Sequence, residues 1–217
     1  MNRIISIITL IALITTFSFS QEDSFKLGIR TGFNLYNVFG YGPPSDLGTG
    51  FGGGAVASIP IASSLTFNPE LNFFYRKLNT VNHDAPAIKR KADITELAIG
   101  IPAVLQYTPF CMLPLYLISG VQLDIPVKSE WTEEMTLIPG PPQPIETKID
   151  RATVDFGILL GLGYKISPNF AVDFRGLISL TELSADKDYE NHLKTRFPDR
   201  DGKRYWFQYG LGLSYFF

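Results

Sequence analysis

The segment from Arg151 to Ile166 reads RATVDFGILLGLGYKI and alternates in polarity at almost every step. Its even-numbered positions are all apolar, whereas its odd-numbered positions are polar, charged or glycine with the single exception of Leu159. A period of two residues is the pattern of a β-strand, whose successive side chains point to opposite faces of the sheet. The segment therefore predicts a long strand with one apolar and one polar face.

Seven further segments show the same alternation, although the glycine-rich second one shows it more weakly. They are residues 25–36, 51–61, 65–76, 95–107, 115–128, 170–181 and 204–217. Soluble strands average about 5–6 residues, whereas membrane strands need about 9–11. The shortest of the eight segments, residues 51–61, already reaches membrane length, so length favours a barrel that crosses a membrane.

The predicted connections alternate between short and long. Short turns are expected at residues 62–64, 108–112 and 167–169, and long polar loops at residues 37–50, 77–92, 129–150 and 183–202. Short turns at one end and long loops at the other are typical of outer-membrane barrels. The sequence therefore predicts an all-β, eight-stranded, up-and-down antiparallel transmembrane β-barrel with both termini on the short-turn, periplasmic side.

Four prolines fall inside these segments, where they cannot donate an amide hydrogen bond to a neighbouring strand. They are Pro60, Pro69, Pro102 and Pro126. We expect them to mark β-bulges or strand ends near a rim of the barrel.

The first twenty residues have the composition of an export signal. Met1-Asn2-Arg3 is basic, Ile4 to Phe17 is an apolar run, and Ser18-Phe19-Ser20 supplies small residues for a peptidase. The sequence predicts a signal peptide at residues 1–20 and a barrel domain at residues 21–217. A retained membrane anchor is the alternative, which the shortness of the run disfavours. The expected location is the bacterial outer membrane.

Composition excludes several classes of protein. Hydrophobic residues make up 45% of the 217 residues and charged residues 18%, against a usual ~25% for soluble domains. The single cysteine, Cys111, rules out a disulfide framework, a cysteine zinc site and an iron–sulfur cluster. A net charge of −2 offers no basic footprint for nucleic acid.

The apolar face carries large aromatic residues near both ends of the strands, as two aromatic girdles at the lipid interfaces would require. The polar face carries charges of both signs among glycines, which an eight-stranded lumen can hold if the charges are paired. We expect interior packing, rather than catalysis, to explain this lumen charge network. Its predicted members are Lys26, Arg30, Glu70, Arg76, Glu96, Asp124, Lys128, Arg151, Asp155, Asp173, Arg175 and Arg204.

The chain resembles the PorT-type outer-membrane β-barrel proteins, which are grouped as "porin family". The resemblance lies in LTFNPEL at residues 65–71, in LAIGIPAVLQY at residues 97–107 and in the strand at residues 115–127. Gly100 stands where the family usually has Glu before the Ile-Pro pair, and Glu96 lies earlier. The resemblance implies an accessory role in protein secretion. The final Tyr215-Phe216-Phe217 resembles the signal, carried here by Tyr215 and Phe217, that the barrel-assembly machinery recognises.

Candidate catalytic or metal-binding residues are few. His83 beside Asp84, and His192, fall in different predicted loops, and Glu130, Glu133 and Glu134 form an acidic loop cluster. Both sets are better interpreted as solvated loop residues than as a catalytic or metal site. No catalytic residue, metal or cofactor is therefore predicted.

We therefore expect a non-enzymatic outer-membrane protein with a structural or interaction role. The expected partners are outer-membrane lipid, the barrel-assembly machinery and another envelope or secretion protein. Two alternatives stay open, a small passive transport pore and an outer-membrane hydrolase that uses a loop histidine. Pores are typical of barrels with about 16–18 strands, whereas eight strands leave an interior that side chains fill.

Overall fold

The computed structural model describes residues 25–40, 47–85, 88–109, 113–137, 154–181 and 204–217. Within them the chain forms eight β-strands. These are β1 (Lys26–Gly40), β2 (Gly48–Ala62), β3 (Leu65–Ala85), β4 (Ile88–Tyr107), β5 (Leu115–Leu137), β6 (Asp155–Lys165), β7 (Phe170–Ser179) and β8 (Arg204–Phe216). No helix in the described part of the chain has the length and apolar character needed to cross a membrane.

The strands form a closed barrel in which each strand pairs antiparallel with the next. Closure comes from β1 and β8, which pair along most of their length, with Gly32 opposite Gly212. The predicted eight-stranded up-and-down architecture is confirmed. The eight strands therefore form one continuous hydrogen-bonded wall around the lumen.

The barrel is apolar outside and polar inside. On β6 the even-numbered residues Phe156, Ile158 and Leu160 are exposed, while Asp155 on the other parity is buried. Leu159, the one apolar residue on the polar parity, is also buried and joins an apolar cluster within the lumen. A water-soluble domain distributes its residues in the opposite sense, so the outer face needs an apolar environment.

The end of the barrel with short turns is compact. Ser63 and Ser64 turn β2 into β3, and residues 166–169 turn β6 into β7, where the amide of Ile166 donates a 2.8 Å hydrogen bond to the carbonyl of Phe170. Phe25 and Phe217, the first and last described residues, lie at this same end.

The long connections are shorter than the sequence predicts. Residues 77–85 and 88–92 continue β3 and β4 as a paired ladder, so the loop expected at residues 77–92 is wrong. Residues 129–137 likewise continue β5 instead of beginning a loop. The predicted loop at residues 183–202 lies outside the described residues.

A β-bulge in β5 corrects the predicted position of Lys128. The pairing of β4 with β5 steps from Leu97 opposite Lys128 to Ala98 opposite Pro126, which leaves Val127 as the extra residue. An extra residue reverses the parity of everything beyond it. Lys128 therefore lies on the outer face, 68% exposed, and is not part of the lumen charge network.

The four prolines divide into two pairs. Pro126 adjoins this bulge and Pro60 adjoins a register shift between β2 and β3, as expected. Pro69 and Pro102 instead lie within β3 and β4, beside an interruption of their pairing that involves no change of register. The expectation of a bulge or strand end is wrong for these two, because the ladder accommodates the missing amides by a local gap.

Candidate functional site

The lumen contains two separate groups of charged side chains. The group nearer the short turns, the short-turn layer, consists of Arg30, Glu70, Asp173 and Arg175. The group nearer the long connections, the long-loop layer, consists of Arg76, Glu96, Asp124 and Asp155. Six strands, β1 and β3 to β7, supply charges to the two layers, because alternation on each strand turns one parity inward.

The short-turn layer balances two cations against two anions. Arg30 donates to both carboxylate oxygens of Asp173, with Nη2 2.7 Å from Oδ1, and its Nε lies 3.6 Å from Glu70. Arg175 contacts the same two acids, with Nη1 2.8 Å from Glu70 and Nε 2.9 Å from Asp173. Each charge therefore faces two opposite charges, the condition under which burial of ions is tolerated.

Glycine makes room for this layer on the neighbouring strand. A Cβ atom at Gly212 on β8 would overlap the guanidinium group of Arg30. Since Arg30 crosses β8 to reach Asp173 on β7, a larger residue at position 212 would displace the ion pair. The glycines of the polar parity are thus part of the packing of the charges.

The long-loop layer has one arginine and three carboxylates. Arg76 donates through Nε to Glu96 at 2.7 Å, and its terminal nitrogens lie 3.5 Å from Asp124 and 3.4 Å from Asp155. Asp124 and Asp155 are also direct partners across β5 and β6. Arg76 therefore holds together three acids that would otherwise repel one another.

Two aromatic rings cover the Arg76 guanidinium. Its central carbon lies 5.7 Å from the ring centroid of Tyr36 and 5.1 Å from that of Trp206, both within cation–π range. The two rings pack edge to face, 6.2 Å apart. With Leu78 and Ile94 they form an apolar cluster at the long-connection end of the lumen.

Neutral polar side chains connect the layers to the wall. Gln208 donates to Asn34 at 3.0 Å, Asn72 donates to Glu70 at 2.9 Å, and Gln122 donates to Asp124 at 2.8 Å. The sequence prediction did not assign these amides to the site, although they occupy the same parity as the charges. Tyr36 and Trp206 also occupy inward-facing positions of their strands, so the same alternation could have assigned them to the lumen.

The space left in the lumen is small between the layers. The cavity beside Arg30 and Arg175 measures about 30 Å³, and the one beside Arg76 about 10 Å³. One water needs roughly 10–15 Å³ by this measure, so each void holds at most a few waters. A third cavity, of about 410 Å³, lies at the short-turn end of the lumen; we call it the short-turn cavity.

Some predicted members of the network lie elsewhere. Lys26 is at the short-turn end, where its Nζ lies 3.4 Å from the carbonyl oxygen of Pro168. On the outside, Glu130 accepts a hydrogen bond from Lys128 and raises the pKa of that ammonium group. Arg204 begins β8, and Arg151 lies outside the described residues.

The proposed assembly signal lies on the outer face. Tyr215 and Phe217 are both exposed, and their rings meet edge to face at 5.5 Å. Within the described residues, no group of three or more histidine, cysteine and carboxylate side chains is arranged to hold a metal ion.

Solved structures of similar shape are outer-membrane barrels. Neisserial surface protein A is 14% identical, with a TM-score of 0.48, over 89% of this chain and 99% of that one. Ail, the attachment invasion locus protein of Yersinia pestis, is 14% identical, with a TM-score of 0.40, over 88% and 98%. The outer membrane protease OmpT of Escherichia coli is 11% identical, with a TM-score of 0.32, over 89% and 95%.

The family comparison identifies the chain more directly. No curated protein matches it in sequence. The model of the outer membrane protein β-barrel domain matches residues 19–185, which is most of the chain and includes β1 to β7. The closed barrel, its apolar outer face and its charged lumen agree with that match. The chain belongs to the outer membrane protein β-barrel domain family.

Proposed function

We propose that this protein is a non-enzymatic interaction protein of the bacterial outer membrane that binds an extended partner segment outside the membrane. The observation that carries the proposal is the length of β3, β4 and β5, which continue past the last described pairs of β2 with β3 and of β5 with β6. The pairing of β2 with β3 ends at Thr49 opposite Lys77, and that of β5 with β6 ends at Asp124 opposite Asp155. Strands β3, β4 and β5 continue beyond these points as a three-stranded extension.

The described extension is bounded by the edge of β3 along residues 78–85 and by the edge of β5 along residues 125–137. At about 3.4 Å per residue, the β3 edge alone is roughly 25–30 Å long. An extended peptide can add as a further strand to a strand edge whose amide and carbonyl groups are open to it.

The orientation of the barrel supports an external role for this extension. We propose that residues 1–20 are a cleaved signal peptide and that the mature termini lie in the periplasm. The first and last described residues lie at the short-turn end, opposite the extension. The resemblance to PorT-type proteins supports a more specific role as an accessory to protein secretion, in which the extension would contact a secreted or envelope protein.

The two alternative functions have less support. The described cavities beside the charged layers measure only about 30 and 10 Å³, which argues against a transport pore. His83, the candidate residue of a hydrolase, lies in β3 opposite Lys89 and not in a loop, while His192 lies outside the described residues.

A shortened hairpin tests the proposal. Leu78 and Ile94 are direct partners, so a two-residue Asn-Gly turn can replace residues 79–93 and close the hairpin at the rim. The variant should keep the heat-modifiable migration of a folded barrel. It should lose the proteins that crosslinking and affinity capture recover with the wild type from native membranes.

A charge variant provides the control for this experiment. Lys89→Gln with Lys91→Gln keeps the hairpin and its backbone edges but removes two cations. Capture by this variant should equal that of the wild type if the backbone edge binds the partner. Undiminished capture by the shortened variant would contradict the proposal.

A further inference from the structure

We propose that the short-turn cavity is a blind receptor pocket for a small organic anion, such as a phosphorylated or carboxylated metabolite. This inference concerns the end of the barrel opposite the extension and does not depend on the proposed function. The cavity measures about 410 Å³, which is within the ~300–1,000 Å³ of typical ligand pockets. Its lining comes from the short-turn end of the lumen, so we expect its ligand to come from solution and not from the bilayer.

Two lysines give the cavity its charge. Lys26 of β1 and Lys165 at the end of β6 both line it. The Lys26 ammonium group lies against the carbonyl of Pro168, in the turn that directly follows Lys165, so both cations belong to the same side of the opening. None of the described lining residues is acidic, and no ion pair joins either lysine to a described carboxylate.

The remainder of the lining is suited to a hydroxylated molecule. Ser58, Ser64, Thr108 and Ser167 contribute hydroxyl groups, which can both donate and accept hydrogen bonds. Two ammonium groups and several hydroxyl groups around one cavity are the donors that a phosphate or carboxylate with neighbouring hydroxyls requires. The chemistry of the lining therefore selects a polar anion over an apolar ligand.

The inner end of the cavity is closed. Tyr116 and Ala171 line the cavity and also belong to the apolar cluster that contains Leu159. A Cβ atom at Gly163 would overlap the Tyr116 ring, so this glycine lets the ring lie against the wall of β6. The Tyr116 hydroxyl points to the carbonyl of Val172 at 3.5 Å. Beyond the cluster lies the short-turn layer, so a bound anion is held and not transmitted.

A titration with inorganic pyrophosphate tests the pocket. Full-length mature protein, folded in zwitterionic micelles, is titrated while amide NMR shifts are recorded, with sucrose as the uncharged comparison. Saturable shifts are expected at the amides of Ser64, Thr108 and Ser167 with pyrophosphate only. Raising the salt concentration should weaken binding, since both lysines are open to solvent at the mouth.

Charge variants show whether the lysines bind the anion. Lys26→Gln with Lys165→Gln should weaken pyrophosphate binding by at least about tenfold, whereas Lys26→Arg with Lys165→Arg should retain it. Lys128→Gln, at the opposite end of the barrel, is the matched control and should bind as the wild type does. If the double variant fails to fold, the two single variants carry the comparison. Absence of saturable shifts, or equal affinity after loss of both lysines, would overturn the proposal.

Discussion

The two charged layers of the lumen meet the same physical requirement in different ways. In the short-turn layer, Arg30 and Arg175 share Glu70 and Asp173, so every charge has two partners of opposite sign. In the long-loop layer, one arginine, Arg76, contacts all three carboxylates. We expect the first layer to tolerate the loss of an arginine better than the second.

This difference assigns the rings around Arg76 a structural role. Tyr36 and Trp206 shield the guanidinium from water, which strengthens its attraction to the acids. In the short-turn layer, neither arginine makes a cation–π contact with a described aromatic ring. Both layers fill the lumen, but the described long-loop layer has one arginine where the short-turn layer has two.

The largest expected effect is the loss of Arg76. Arg76→Leu removes the cation that contacts all three buried carboxylates, and breaking a buried pair costs about 3–5 kcal/mol. We expect the free energy of unfolding, measured by denaturant titration in lipid vesicles, to fall by at least that amount. Adding Glu96→Leu should recover part of the loss. A variant as stable as the wild type would refute the dependence on Arg76.

An arginine introduced on the outer face tests the cost of this side chain where no carboxylate can pair with it. Leu160 is 57% exposed near the middle of β6. Leu160→Arg should lower the free energy of unfolding in vesicles by about 2–4 kcal/mol, the cost of arginine at the bilayer midplane. Leu180→Arg, just beyond the end of β7, should cost about 0–1 kcal/mol because the position is near the interface. Equal costs would contradict the assignment of the outer face to lipid.

Loss of Arg175 tests the tolerance of the balanced layer. In Arg175→Leu, Glu70 and Asp173 still face Arg30, so the expected loss is about 1–3 kcal/mol, the cost of a buried polar group left unsatisfied. The double variant Arg175→Leu with Glu70→Leu removes one charge of each sign and should be destabilised less than the sum of the single variants. A loss as large as that of Arg76→Leu would remove the distinction between the layers.

The smallest effect on stability is expected at the last residue. Phe217 contacts Tyr215 on the outer face and neither layer, so Phe217→Ala should lower the free energy of unfolding by no more than about 1.5 kcal/mol. If these rings form the assembly signal, the amount of assembled barrel in cells should fall several-fold, as semi-native gels can measure. Unchanged assembly would argue against the signal, with Phe170→Ala as the aromatic control at the same rim.

Alternation predicts the barrel because lipid and lumen impose opposite requirements on the two faces of each strand. It fails where one of these environments ends. In residues 77–92, which continue β3 and β4, the period of two disappears from the sequence, as expected where an outer face no longer meets lipid. The extension of β3 and β4 therefore could not be recognised from polarity.

The charges of the lumen follow from parity, but their partners do not. Arg30 on β1 meets Asp173 on β7 across β8, a contact that depends on the stagger of strands around the barrel. Lys128 lies outside the lumen because of the bulge at Val127. The bulge arises from the pairing of β5 with β4, which the alternation of residues within β5 does not reveal.

Single-channel recording in planar bilayers tests the central claim most directly, since both layers are proposed to seal the lumen. The folded wild-type protein should insert without producing a stable unitary conductance, because the voids between the layers hold at most a few waters. Large and stable unitary openings of the wild type would contradict this account and favour a transport pore.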